Sequence, residues 1–130
     1  MQADEPAGRV LVIAGSDSGG GAGIQADIKA ISAMGGYAAT AITAITVQNT
    51  LGVSAIHPVP LAIVEGQIRA VLDDIGADVV KTGMLATVEI VELVAAVLEA
   101  ADPAIPLVLD PVMIATSGDR LVDDGTEAAI

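Results

Sequence analysis

Asp27, Gln48, Lys81 and Asp110 each lie beside an apolar run, and a glycine-rich break, GSDSGGGAG at 15–23, separates the first such run from a helical pattern. These are the residues with the types and spacing to do chemistry. Glycine has no Cβ, so the loop can bring backbone N–H groups against a ligand, and the helix start behind it adds unpaired donors and the positive end of a dipole. The same sequence would also serve as a tight strand-to-helix turn. Asp27 could accept a hydrogen bond from a ligand or favour the helix N-terminus through charge and dipole. Gln48 offers a carbonyl acceptor beside an NH₂ donor, which suits the edge of an aminopyrimidine or amide ring and equally suits a strand end facing water. Asp110, ahead of Pro111, has the character of a Mg²⁺ or water-bridged phosphate contact, or of a turn residue. Lys81 could offset phosphate charge or pair with a carboxylate. His57, ahead of Pro58, reads as a surface or turn residue.

Two phosphate fingerprints can be tested directly. Gly21-x-Gly23-x-x-Ala26 matches the dinucleotide pattern loosely, but the next strand ends in Gln48 where an acidic ribose ligand belongs. A P-loop requires Lys then Ser or Thr at the helix start, where Ile24-Gln25 stand.

The elements that must position these residues follow from hydrophobic period. Arg9–Ala14 reads as a strand covered on both faces, and Ala22–Met34 as a helix with Ile24, Ile28 and Ile31 on one stripe, stopping at Gly35-Gly36. Asp27 falls about 60° from the Ile24 direction, toward loop and sheet. Ala38–Val47 reads as one continuous strand, followed by an extended stretch at Val53–Val59. Pro60 opens a helix striped by Leu61, Val64, Ile68, Val71 and Ile75 up to Gly76. Asp78–Thr82 is the next strand, Thr87–Ala101 a helix with an acidic edge at Glu89, Glu92 and Glu99, and Pro106–Leu109 a further strand. A loop through Ser117-Gly118 and a helical start near Asp123 complete the pattern, which the stop at Ile130 leaves only begun. Alternation of strands and helices predicts right-handed crossovers and a layered, parallel α/β domain. Gly15, Gln48, Gly83-Met84 and Asp110 are then expected on the C-terminal rim of one sheet, around one pocket.

Composition narrows the ligand. Five basic residues against 17 acidic ones, net −12, argue against nucleic acid and anionic membranes. With no Phe, no Trp and one Tyr, a ring must be held by aliphatic side chains and backbone. No Cys and one His exclude a thiolate zinc site, disfavour a histidine metal site and fit a cytoplasmic location. The opening MQADEPAG has neither basic region nor apolar core, so residues 1–8 are expected to be a flexible tail and 9–130 the folded part.

AGSDSGGGAGIQADIKAISAMGGY, TAITVQNT, VVKTGML and VLDPVM followed by SGDRL, in this order, resemble hydroxymethylpyrimidine/phosphomethylpyrimidine kinase of the ribokinase-like superfamily across residues 9–124. The resemblance implies a three-layer ribokinase-like fold with a central, mostly parallel sheet, truncated here after about the fifth strand. It implies ATP- and Mg²⁺-dependent phosphorylation of 4-amino-5-hydroxymethyl-2-methylpyrimidine and then its monophosphate, in thiamine biosynthesis. By position, Gly15, Ala22 and Asp27 would line the substrate pocket, Gln48 would bond the pyrimidine edge, and Met84 and Val112 would pack on the ring. Asp110 would sit near phosphates and metal, with Lys81 in the same vicinity. Family members vary between Gln and Glu at position 48, and many carry Lys where this chain has Thr116. Their second half supplies an Asn-x-x-Glu metal motif, a Gly-Thr-Gly-Cys anion hole and most of the ATP site. None of these stands in the 130 residues, so the expectation is a substrate-side half with little activity alone and a tendency to self-associate through an apolar sheet edge. A pyridoxal kinase and a non-catalytic pyrimidine-binding or scaffold fragment are the alternatives.

Overall fold

The computed structural model describes residues 7–112. The expectations for the residues beyond, the 117–118 loop and the helical start near Asp123 among them, lie outside the described residues. So does most of the N-terminal tail.

Four strands form one parallel sheet: β1 Arg9–Ala14, β2 Tyr37–Ile42, β5 Val79–Thr82 and β6 Leu107–Leu109, in the order β2-β1-β5-β6. Helix α1, Gly23–Ala33, carries the chain from β1 to β2 on one face. Helices α2, Leu61–Ala70, and α3, Val88–Ala100, cover the other. Leu11 and Ile13 of β1 point into the α2/α3 layer with Val64, Ile68, Ile90 and Val94, while Val12 and Ala14 point toward Ile24 of α1. That alternation, with every one of these β1 residues buried, is why the strand reads as a continuous apolar run. The winding reverses at β1: the chain first crosses to β2, then returns to build β5 and β6 on the other side. The loops after β1 and β5 therefore splay apart at a topological switch point, where open α/β sheets hold ligands.

The run expected as a single strand at Ala38–Val47 is two strands in different sheets. β2 ends at Ile42, and β3, Ala44–Asn49, pairs antiparallel with β4, Gly52–Pro58, as a separate two-stranded flap. Nothing in AATAITAITV marks the break, because partners distant in sequence make it. Thr43 is fully buried: its N–H donates to Ala14 O at 3.0 Å, its carbonyl accepts Val59 N–H at 2.9 Å, and its hydroxyl donates to Met84 O at 2.7 Å. Gln67 of α2 then closes the end of β2, accepting Ile42 N–H at 2.8 Å and donating to Ile42 O at 3.0 Å, as a neighbouring strand would.

Other boundaries fall close to expectation. Gly35, at φ +84°, ends α1, and Gly36 N–H returns to Ile31 O at 2.9 Å. Thr87 caps α3 by accepting Ile90 N–H at 3.2 Å. Helix α2 widens into a π-helical turn at Val71–Ile75 before Gly76, at φ +76°. Ile28 departs from its expected stripe and is exposed; the inward face of α1 is Ile24, Asp27 and Ile31. The side chains of β6 are about half exposed, and β6 is one edge of the four-stranded sheet among the described residues, with β2 at the other. No described helix is long and apolar enough to cross a membrane.

Candidate functional site

The loop after β1 is built around a residue that the sequence pattern did not single out. The Asp17 side chain is buried and accepts Gly19 N–H at 2.7 Å, Gly21 N–H at 3.0 Å and Ala22 N–H at 2.8 Å. Gln25 locks the same turn from α1, its Oε1 accepting Asp17 N–H at 2.8 Å, and Lys29 Nζ donates to Gly20 O at 2.8 Å. Three of the loop donors that a phosphate could use are thus spent on the protein's own carboxylate. Gly23, at φ +59°, turns the chain so closely on itself that a Cβ there would stand 2.6 Å from Gly15 O. An acidic residue two positions ahead of a glycine run was the available signal for this internal cap.

The flap is fastened to this loop residue by residue. Ser16 N–H donates to Ala44 O at 2.9 Å, and Thr46 donates from its N–H to Ser16 Oγ at 3.1 Å and from its hydroxyl to Ser16 O at 2.8 Å. Ser18 Oγ donates to Gln48 O at 2.5 Å and accepts Gln48 N–H at 2.8 Å. Ser16, Ser18 and Thr46 act here as a polar zipper, and Gln48 reaches the cleft from the flap, not from the rim of the parallel sheet as expected.

Between loop, flap and the ends of β5 and β6 lies a cleft of about 690 Å³. Ala22, Asp27, Gln48, Lys81, Met84, Asp110 and Val112 all line it. Gly15 is missing from that wall: it backs onto Met84, and a Cβ at position 15 would overlap Met84 Cε. Its contribution is to leave room for that side chain. The cleft contains no aromatic residue; Met84, Val112, Leu51 and Ala14 supply its apolar surface.

Lys81 and Asp27 meet across the cleft floor, Nζ to Oδ2 at 2.9 Å, with both side chains less than a quarter exposed. Lys81 lies opposite Val12 in the β1–β5 register and so projects from the α1 face, where Asp27 waits one turn into the helix. Asp110 follows β6, its N–H donating to Thr82 O at 3.0 Å and its carbonyl accepting Val112 N–H at 2.8 Å, and its side chain is solvent-accessible at the cleft edge. Among the described residues it has no cationic partner, and these residues include no cluster of three or more His, Cys, Asp or Glu able to enclose a metal. A Mg²⁺ ion carried by substrate phosphates needs only one or two carboxylates, and Asp110 fits that smaller role. His57 is exposed on β4, away from the cleft lining.

A family model described as phosphomethylpyrimidine kinase matches residues 17–130. The hydroxymethylpyrimidine/phosphomethylpyrimidine kinase of Mycobacterium tuberculosis is 56% identical over 114 residues, which are 88% of this chain and 42% of that relative. The crystal structure of phosphomethylpyrimidine kinase from Clostridium difficile superposes with a TM-score of 0.84 at 46% identity, over 93% of this chain and 52% of that one. Pyridoxal kinase from Staphylococcus aureus, solved with AMP-PCP and pyridoxal, gives 0.77 at 38% identity, over 93% and 42%. The chain thus spans about half the length, or less, of the relatives it matches.

Proposed function

Because the chain belongs to the phosphomethylpyrimidine kinase family, we propose that its cleft is the substrate side of an ATP-dependent kinase acting on 4-amino-5-hydroxymethyl-2-methylpyrimidine and its monophosphate, in thiamine biosynthesis. The observation that carries this reading is a cleft that combines the Gln48 amide with the apolar faces of Met84 and Val112, beside a loop whose Gly19, Gly21 and Ala22 N–H groups are already held by Asp17. Such a wall suits a small neutral ring with a polar edge better than a nucleotide triphosphate.

Each residue then has a distinct task. Met84 and Val112 hold the ring by contact, Gln48 fixes its rotation, and Ala22 keeps the loop side of the cleft small. Asp27, steadied by Lys81, lies where it can accept a hydrogen bond from the substrate hydroxyl. Bound ATP and Mg²⁺ would supply the transferable phosphoryl group and its charge neutralisation. Asp110, at the cleft edge, would be a carboxylate ligand of the metal, and Lys81, the described cation that lines the cleft, would lie in the vicinity of the phosphates.

Calorimetry with the pyrimidine alcohol and with pyridoxal tests the reading. Binding of the pyrimidine, weakened at least about tenfold by Gln48→Leu through loss of one buried hydrogen bond, is the expected result. Tighter binding of pyridoxal would favour the vitamin B6 kinase reading, which the likeness to the Staphylococcus aureus enzyme supports. Pyrimidine binding without any phosphorylation in the presence of ATP and Mg²⁺ would favour a binding fragment. Self-association through the half-exposed β6 edge belongs to the same proposal, and sedimentation velocity tests it.

A further inference from the structure

The Thr46 hydroxyl has one proton and two polar neighbours, Ser16 O at 2.8 Å and one end of the Gln48 side-chain amide at 3.2 Å. A backbone carbonyl can only accept, so the shorter contact takes the proton. An amide oxygen at the second position would then face the lone pairs of the hydroxyl with nothing between them. Thr46 is only 3% exposed, so water offers no relief. The two ends of a side-chain amide differ by a half-turn of one torsion and are told apart by their hydrogen bonds.

We infer that Gln48 Nε2 donates to Thr46 Oγ1 and that Gln48 Oε1 is the end turned to the cleft, which makes Thr46 a positioning residue that selects ligands presenting an N–H donor. The backbone of Gln48 is already fixed. Ser18 holds both its backbone groups, and the register shift between Val47 and Gln48 re-aims the side chain at the end of β3. Which end of the amide faces Thr46 is decided by the chain Gln48 to Thr46 to Ser16. The orientation stands on these contacts alone, whereas the ligand class rests on the pyrimidine reading, in which an exocyclic amino group is the donor.

Side-chain amide NMR of the protein without ligand reads the orientation. In wild type and Thr46→Ser, one Gln48 Nε2 proton is expected to be shifted downfield and to exchange with solvent at least about tenfold more slowly than in Thr46→Val. Two freely exchanging Gln48 protons in wild type overturn the inference, even if Thr46→Val does not fold. The selection is read from affinity for the 4-aminopyrimidine alcohol against its 4-methyl analogue, expected to differ at least about tenfold in wild type and Thr46→Ser and to converge in Thr46→Val. Equal affinities in wild type overturn the selection. A slowed amide proton with no affinity for either pyrimidine upholds the orientation and overturns the pyrimidine reading.

Discussion

Asp17 Oδ2 accepts the Ala22 N–H at 2.8 Å, and with that bond the glycine loop closes on a carboxylate of its own. Removing the acceptor leaves three loop N–H groups without their partner. Asp17→Ala is expected to cost about 2–3 kcal/mol in urea unfolding, and Asp17→Asn less, since one oxygen remains to accept. Retention of full stability by Asp17→Ala would mean that the loop holds its shape without this cap.

Gly15 and Gly23 differ in what a methyl group would strike. At Gly23 it meets backbone at a left-handed φ, so Gly23→Ala is expected to cost about 2–4 kcal/mol. At Gly15 it meets the mobile end of Met84. Gly15→Ala should therefore cost under about 1 kcal/mol of stability while displacing the Met84 side chain and weakening ring binding, a split visible by comparing thermal unfolding with calorimetric affinity.

The Lys81–Asp27 pair is less than a quarter exposed on either side, between the surface and buried cases. A double-mutant cycle with Lys81→Met and Asp27→Asn is expected to give a coupling of about 1 kcal/mol. A coupling near zero would leave Lys81 free to serve phosphate instead.

Thr82 Oγ1 is buried at the end of β5 with no hydrogen-bond partner among the described residues. Thr82→Val keeps the shape and removes the unmet polar group. The variant is expected to be more stable by about 1 kcal/mol, and a loss of stability would reveal a partner for the hydroxyl.

Arg9 binds Asp78 through Nε at 3.2 Å and Nη2 at 3.0 Å, and its N–H also donates to Asp78 Oδ2 at 2.8 Å. Chiefly through the side-chain hydrogen bond, helped by the backbone one, the Asp78 carboxyl is lowered from 3.8 to about 2. A depressed folded-state pKa adds stability above the ordinary carboxylate value, and that stability is lost as pH falls from about 4 toward 2. Carbon-detected titration of Asp78 should show a midpoint near 2, returning toward the ordinary value in Arg9→Met.

The positions of β1, α1 and α3 were legible because hydrophobic period and local stop signals set them: a run buried on both faces, Gly35 after the last helical turn, Thr87 at a cap. Gln48, Met84 and Asp110 were legible as candidates for a related reason, since each follows or flanks an element whose end the period marks, and Asp27 because helical period turns it toward loop and sheet from the first turns of α1. Sequence could not show that Ala38–Val47 splits at Thr43, because the hydrogen bonds that bend the chain come from Ala14, Val59 and Met84. Nor could it show that Asp17 consumes three of the loop donors, that Gly15 stands behind Met84 instead of lining the cleft, or which carboxylate Lys81 would choose. Local pattern specifies elements, since period and capping act within a few residues. Tertiary structure decided which donors remained for a ligand, because a hydrogen bond or ion pair depends on what the fold brings within about 3 Å, however far apart the partners lie in sequence.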